Sequence, residues 1–290
     1  MTIVSPAPLI RAERPGGHIV DVLIAERAPR LAASPAWPLL RPLLYGLLDY
    51  GKARRMADAV AGLRGRAAME HVSKLLSVNV DVTGLERLPR AGPAIVVCNH
   101  PTGIADGVAV YDALKTVRPD LCFYANADAH RISPGLGDVL IPVEWVAAKR
   151  TRERTRRTLA LTRDVLEAGR CLVIFPSGRL SRRQADGRLA DPPWAASPVS
   201  LARRHKALIV PIHVAGPSST LFHLFNRFSD ELRDITLFHE LLNKRGRAFA
   251  LAVGPAIPPE ALDGEAQAVA ERLKTYVERV LPADRDRTFA

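Results

Sequence analysis

The sequence predicts an α/β fold: a mixed, largely parallel central sheet flanked by helices, preceded by an N-terminal helical membrane-associating segment. Three observations predict it. Short apolar runs of strand length at 94–98, 171–175 and 208–214 alternate with stretches of helical periodicity. Each run ends in a polar turn carrying Gly or Pro, which gathers the turns at one edge of a parallel sheet. A chain of 290 residues that is 48% hydrophobic and 24% charged has enough apolar surface to bury a large core. The organisation expected is an irregular and amphipathic helical segment over 1–66, followed by an α/β domain over 67–290.

Taken in order, residues 1–33 are rich in Pro, Arg and Ala, with 19–25 forming a short strand or a turn of helix. Over 37–60, Trp37, Leu39, Leu40, Leu43, Leu44, Leu47 and Leu48 supply an apolar face, and Lys52, Arg54 and Arg55 follow it. Such a segment suits a helix lying in a membrane interface, or one packed on its own domain. Pro42 requires a break there, or a helix that begins close to it. A helix is expected over 67–76, an alternating strand over 78–82 and a doubly covered strand over 94–98. A helix after Gly107 runs to 117, and 121–126 is the next strand. Residues 128–142, dense in Gly and Pro, read as a loop holding at most one short helix. A helix led by the basic run 149–157 ends near Ala168 with Gly169 as its cap. Beyond the strand at 171–175 come a turn at 176–179, a helix over 198–206 and a strand over 208–214. A helix over 230–242, a strand over 248–253 and a long helix over 259–281 finish the chain.

The charge is unbalanced: 41 Lys and Arg against 30 Asp and Glu give a net +11. Such a surface attracts polyanions, and an aromatic content of only 6% gives little sign of base-stacking platforms, which argues for an anionic membrane over nucleic acid. Three cysteines cannot all pair, and Cys98, Cys122 and Cys171 fall in apolar runs, as reduced core residues do. There is no signal-peptide pattern and no long uninterrupted apolar stretch. The expected location is cytoplasmic, peripheral on the inner face of the cell membrane.

The organising stretch is Ala94 to Gly107, in which Asn99-His100 closes a buried strand and Asp106 follows in the next turn. Imidazole suits proton transfer near neutral pH, and a carboxylate at that distance can orient it. Equally, the pair can be a capping Asp beside a loop His. At the end of the second run stand Phe175-Pro176-Ser177-Gly178-Arg179-Leu180-Ser181. Gly178 permits a close backbone approach, and Arg179 offers a planar, permanently charged fork for an anionic head group, or a surface cation for a neighbouring acid. The run 149–157 holds six cations and one anion, with Arg150, Arg154 and Arg157 on one helical face. It is a solvated face, or a seat for the phosphates of coenzyme A, an acidic carrier protein or lipid head groups. His213 reads as a core histidine. His130, His205, His223 and His239 are scattered singly, so no metal site is expected.

Those turns, in that order, resemble the sequence blocks of the glycerolipid acyltransferase family, of the 1-acylglycerol-3-phosphate acyltransferase type. Its usual first block is Asn-His, four residues, Asp. Here Asn99-His100 is followed by five residues before Asp106, and Pro101, Gly103 and Gly107 complete a longer variant similar to the haemolysin-like and ornithine-lipid acyltransferase branch. The third block, usually Phe-Pro-Glu-Gly-Thr-Arg-Ser, has Ser177 in place of Glu, and the fourth is matched by 208–212. The likeness covers about 70–255.

It implies transfer of a fatty acyl group from acyl-CoA or acyl carrier protein, a co-substrate and not a resident cofactor. The acceptor is the hydroxyl of a lysophospholipid or a lyso-ornithine-type lipid. His100 would be the general base oriented by Asp106, with direct attack and no acyl-enzyme. Asn99, Gly103, Gly107, Pro176, Ser177, Gly178, Arg179, Lys149 and Arg150 would bind substrate, and no metal is implied. Two other readings compete: a thioesterase or hydrolase using water at His100, and a non-enzymatic binder of anionic membranes or nucleic acid. No Gly-x-Ser-x-Gly elbow supports a serine hydrolase.

Overall fold

The computed structural model describes residues 17–144, 151–217 and 219–290. Within them the strands are β1 (Asn79–Thr83), β2 (Ala94–Cys98), β3 (Cys122–Asn126), β4 (Leu140–Val143), β5 (Cys171–Ile174), β6 (Arg182–Arg183), β7 (Leu189–Ala190), β8 (Leu208–Ala215) and β9 (Ala248–Val253). Seven of them form one sheet in the order β1-β9-β8-β2-β5-β3-β4, and β6 and β7 make a separate two-stranded hairpin. Neighbours in the large sheet run parallel except β8 and β9, so the expected mixed, largely parallel sheet is what the chain forms.

Alternation along the central strands explains why they are apolar throughout. In β2, Ala94, Val96 and Cys98 enter one core cluster, and Ile95 and Val97 enter the other. The same division holds in β5, with Cys171 and Val173 on one face and Leu172 and Ile174 on the other. A strand covered on both faces has no solvent side and reads as a continuous apolar run.

The helices are α1 (Ile19–Arg27), α2 (Pro29–Ala32), α3 (Trp37–Leu47), α4 (Tyr50–Ala61), α5 (Gly65–Leu76), α6 (Ile104–Leu114), α7 (Asp128–Ile132), α8 (Arg152–Glu167), α9 (Ser197–His205), α10 (Thr220–Phe225), α11 (Asp230–Asp234), α12 (Leu237–Leu242) and α13 (Ala266–Thr275). Val20 and Leu23 of α1, Met56 of α4, Val108 of α6 and Leu241 of α12 pack on the first face of the sheet. Val165 of α8, Val199 of α9 and Val269 of α13 pack on the second.

Several local expectations are revised. Residues 19–25 are helical. The 37–60 segment is two helices, and the break falls at Asp49, whose φ is 55°, and not at Pro42, which lies inside α3. Residues 140–143 form β4, which pairs with β3 alone and so tolerates Pro142 as an edge strand does. The segment 230–242 divides into α11 and α12, and the Thr236 hydroxyl donates back to the Arg233 carbonyl at the join, 2.7 Å. The last helix starts at Ala266 and not at 259, because Glu265 caps it by accepting from the Ala268 N–H, 2.7 Å. Helix α10 has no counterpart in the sequence reading. Among the described residues, no helix is long and apolar enough to cross a membrane.

Candidate active site

β8, β2 and β5 are adjacent and parallel, so the turns that follow them meet at one sheet edge. After β2 the chain makes a short turn and enters α6 at Ile104. Gly103 caps that helix with φ 90°, a left-handed conformation that admits glycine and disfavours other residues. Helix α6 begins earlier than the apolar pattern suggests because Asp106, in its first turn, accepts the Gly103 N–H at 3.0 Å. Gly107 therefore lies inside the helix and not in the turn. A Cβ added there would meet nothing within 4 Å, so this part of the helix adjoins open space.

Asp106 is fully buried and its carboxylate is saturated. Besides Gly103 it accepts the Thr102 N–H at 2.8 Å and the Thr102 hydroxyl at 2.5 Å. It also meets His100 Nδ1 at 2.9 Å. An ionised carboxylate only accepts, so this contact places the proton on Nδ1 and leaves the lone pair on Nε2. Nε2 makes no hydrogen bond among the described residues, and the His100 side chain retains 16% exposure. The imidazole lies against Phe175, with ring centroids 4.4 Å apart, which fixes its plane.

The backbone of His100 is held at both ends. Its N–H donates to Asp191 Oδ1 at 3.1 Å, and its carbonyl accepts from the Ser181 N–H at 2.9 Å. Asp191 also accepts from the Ser181 hydroxyl at 2.5 Å and from Trp194 Nε1 at 2.9 Å, and its own N–H donates to Glu278 at 2.6 Å. Burial raises the Asp191 pKa against the opposing pull of Ser181, Trp194 and His100. Asn99 has both ends of its amide engaged with Val214: it accepts the N–H at 2.7 Å and donates to the carbonyl at 2.9 Å. Its side chain ties β2 to β8 and places His100.

The turn after β5 lies against the first one, with Leu180 beside Gly103. Buried Pro176 opens it, the Gly178 N–H closes it on the Phe175 carbonyl at 2.9 Å, and Gly178 has φ 60°. The Ser177 hydroxyl donates to the Arg179 carbonyl at 2.8 Å, which engages it within the turn. Arg179 is exposed, and its side chain has no ion pair or hydrogen bond among the described residues. Lys149 and Arg150 lie outside the described residues. Further along the basic run, Arg154 pairs with Glu144 at 3.2 Å.

Asp191, Trp194 and Thr102 were not singled out from the sequence. Asp191 has no spacing relation to His100, and only the fold brings it there. Thr102 carried a signal, being a hydroxyl inside the turn, four residues before the Asp. Cys98, two residues before His100, is buried, and burial drives its thiol well above the ordinary range. Cys122 and Cys171 are pushed up to about 11 and about 12 by burial. Thiols held protonated this way are poor nucleophiles. His213 Nδ1 donates to the Val277 carbonyl at 2.9 Å in the core, and burial lowers its pKa. The arrangement is a buried carboxylate, an oriented imidazole with one open nitrogen, and an exposed arginine side chain in the adjoining turn; an imidazole so held can accept a proton at Nε2.

Residues 79–215 match the family model described as Acyltransferase. The chain is 28% identical over 202 residues to the lyso-glycine lipid O-acyltransferase of Phocaeicola vulgatus, covering 67% of this chain and 70% of that one. It is 25% identical over 201 residues to the protein of the same name from Bacteroides thetaiotaomicron, covering 67% and 72%. Among solved structures, the 1-acyl-sn-glycerophosphate (LPA) acyltransferase PlsC of Thermotoga maritima aligns over 93% of this chain and 98% of its own, at 15% identity and a TM-score of 0.48.

Proposed function

We propose that this chain, a lipid O-acyltransferase, is of the glycerolipid acyltransferase type, with His100 its general base and Asp106 the group that orients it. The observation that carries this reading is the saturated, buried Asp106 holding His100 Nδ1 and leaving Nε2 open. Nε2 takes the proton of the acceptor hydroxyl as its oxygen attacks the thioester carbonyl. The carbon–oxygen bond forms, the carbon–sulfur bond breaks, and the proton passes from Nε2 to the departing sulfur. Asp106 stabilises the imidazolium in between. No acyl-enzyme is needed, and the buried cysteines offer no nucleophile.

The donor is acyl-CoA or acyl carrier protein, whose phosphates or acidic surface suit the basic start of α8. The acceptor is a lysolipid. Two relatives named for a lyso-glycine lipid, and Ser177 where the family's usual block has Glu, favour an amino-acid head group over an ordinary lysophosphatidic acid.

Such an acceptor resides in a bilayer, and α3 is fitted to meet one at the inner face of the cell membrane. None of its residues is buried; Leu39, Leu43 and Leu47, one stripe at successive turns, are 78%, 73% and 52% exposed. Arg41 and Arg54 lie over Tyr45 and Tyr50 at its edge, as basic and aromatic residues do at a head-group boundary.

The test is thiol release from acyl-CoA and acyl carrier protein with and without a panel of lysolipids. Release should require both an acceptor and His100, and His100→Ala should fall by about 10²- to 10⁴-fold. Release with no acceptor would identify a thioesterase, and release indifferent to His100 would overturn the assignment of the base.

A further inference from the structure

Beside the turn that carries His100 lies a group of buried polar atoms that the described residues leave unbonded. Arg182 Nη1, Ser219 Oγ and His223 Nε2 are all buried and have no hydrogen-bond partner among the described residues. Native interiors hold few such groups, because each forfeits its hydration without recompense. The three come from neighbouring places. The Arg182 guanidinium sits 4.8 Å over the Phe222 ring, Phe222 packs edge-on against the His223 imidazole at 5.4 Å, and the His223 N–H bonds the Ser219 carbonyl at 3.0 Å.

The acids in this region are occupied. Asp230 and Asp234 both pair with Arg233. Glu240 accepts the Phe222 N–H at 3.2 Å and the buried Lys244 ammonium at 2.9 Å. Arg182 is thus a half-buried cation beside other arginines with no acid of its own. Burial and the charges of Arg233 and Arg179 lower its affinity for its proton against the opposing pull of Asp234 and Asp230, and burial with the charges of Arg183 and Arg182 does the same to His223 against that of Glu240. An anion would relieve each of these penalties at once.

The cluster adjoins the reacting atoms. Arg182 follows Ser181, whose N–H holds the His100 carbonyl. Ahead of Ser219, Gly216 approaches Thr102 so closely that a Cβ would stand 2.7 Å from its methyl group.

We propose that Arg182, Ser219 and His223 form the subsite that receives the oxyanion of the acceptor's head group, so that the acceptor is selected by its negative charge. This deepens the acyltransferase reading and rests on it. The planar guanidinium fork takes a carboxylate or phosphate through two oxygens, and the hydroxyl and imidazole supply the remaining bonds. With His223 neutral, the subsite's own charge is +1, which matches a monoanionic carboxylate better than a dianionic phosphate. Entry requires Arg182 to swing, and its strand pairs with β7 over only two residues, Arg182 with Ala190 and Arg183 with Leu189.

The experiment measures both equilibrium binding in detergent micelles and acyl transfer, for lyso-glycine lipid, its carboxamide and lysophosphatidic acid. Wild type should favour the carboxylate over the carboxamide by about 10- to 100-fold in binding, the range of a hydrogen bond to a charged group. Arg182→Gln should abolish that preference, the binding of the carboxylate falling to the level of the carboxamide. Ser219→Ala, a smaller change that keeps the fold should the arginine variant not, should remove part of it. A preference for lysophosphatidic acid that vanishes in Arg182→Gln would place a phosphate in the same subsite. Equal loss of carboxylate and carboxamide, or unchanged preference in both variants, would overturn the proposal. Discrimination in binding without transfer to any acceptor would leave the subsite standing and sink the acyltransferase reading instead.

Discussion

The two turns that meet at the sheet edge are built in opposite ways. Around His100 the groups are answered: Asp106 accepts four contacts, the His100 backbone is held at both ends, and the Asn99 amide both donates to and accepts from Val214. Around 176–183 the arginines are not: Arg179 is exposed and unpaired among the described residues, and Arg182 keeps a buried, unbonded Nη1. A base must be aimed before substrate arrives, because the cost of orienting it would otherwise enter the barrier. A recognition site is better left open, because a partner inside the protein would have to be displaced by the ligand. The same edge of one sheet therefore carries a finished half and a waiting half.

The comparison breaks most sharply at Asp106. Asp106→Asn keeps the shape but puts an amide N–H where the carboxylate accepts from the Thr102 N–H, the Gly103 N–H and the Thr102 hydroxyl, of which the two N–H groups can only donate. It also favours the wrong tautomer of His100. We expect acyl transfer to fall by about 10²- to 10⁴-fold, approaching the loss of the base itself. Affinity for the acceptor should hardly change, because the waiting half is untouched. A rise in acceptor KM comparable to the fall in kcat would show that the halves are not separable.

How far this division can be read from the sequence follows from what each half depends on. His100 and Asp106 lie in one local turn, so strand length, turn residues and spacing suffice to pair them, and the same locality fixes β2, β5 and β9. The supporting shell is contributed by distant segments: Asp191 reaches His100 across 91 positions and Val214 reaches Asn99 across 115. No period or spacing encodes such contacts. The misread elements failed for local reasons. β4 is four residues with a proline at a sheet edge, and α10 is six residues, too short for periodicity to register. Gly107 reads as part of the turn because glycine marks turns, whereas the Asp106 cap draws it into the helix.

A smaller effect is expected one layer behind the histidine. Asp191→Ala leaves the His100 N–H, the Ser181 hydroxyl and the Trp194 indole N–H without their common acceptor. Groups left unsatisfied in this way cost about 1–3 kcal/mol each before the site relaxes. We expect a fall in stability of about that size, measured by denaturant unfolding, together with a lower kcat. Ser181→Ala, which removes one donor and leaves the acceptor, should cost less. If Asp191→Ala lowered stability with kcat unchanged, the network would support the fold without aiming the base.

The smallest effect tests how the waiting half meets its lipid. α3 buries none of its residues, so changing Leu39 and Leu43 to Ser removes apolar surface from the exterior and should leave the unfolding transition where it is. What it would remove, on the proposed membrane contact, is apolar surface worth about 0.8 kcal/mol for each methylene that enters the acyl chains. Leucines seated only at the interface realise part of this, so the pair should weaken partition onto anionic vesicles by about tenfold, read by flotation. Transfer to a micellar acceptor should persist, because neither leucine belongs to the proton relay or the anion subsite. Unchanged flotation of the Leu39→Ser, Leu43→Ser double variant would remove α3 from the membrane contact. In that event the basic surface alone would hold the enzyme to the bilayer, and raising the salt concentration should release it.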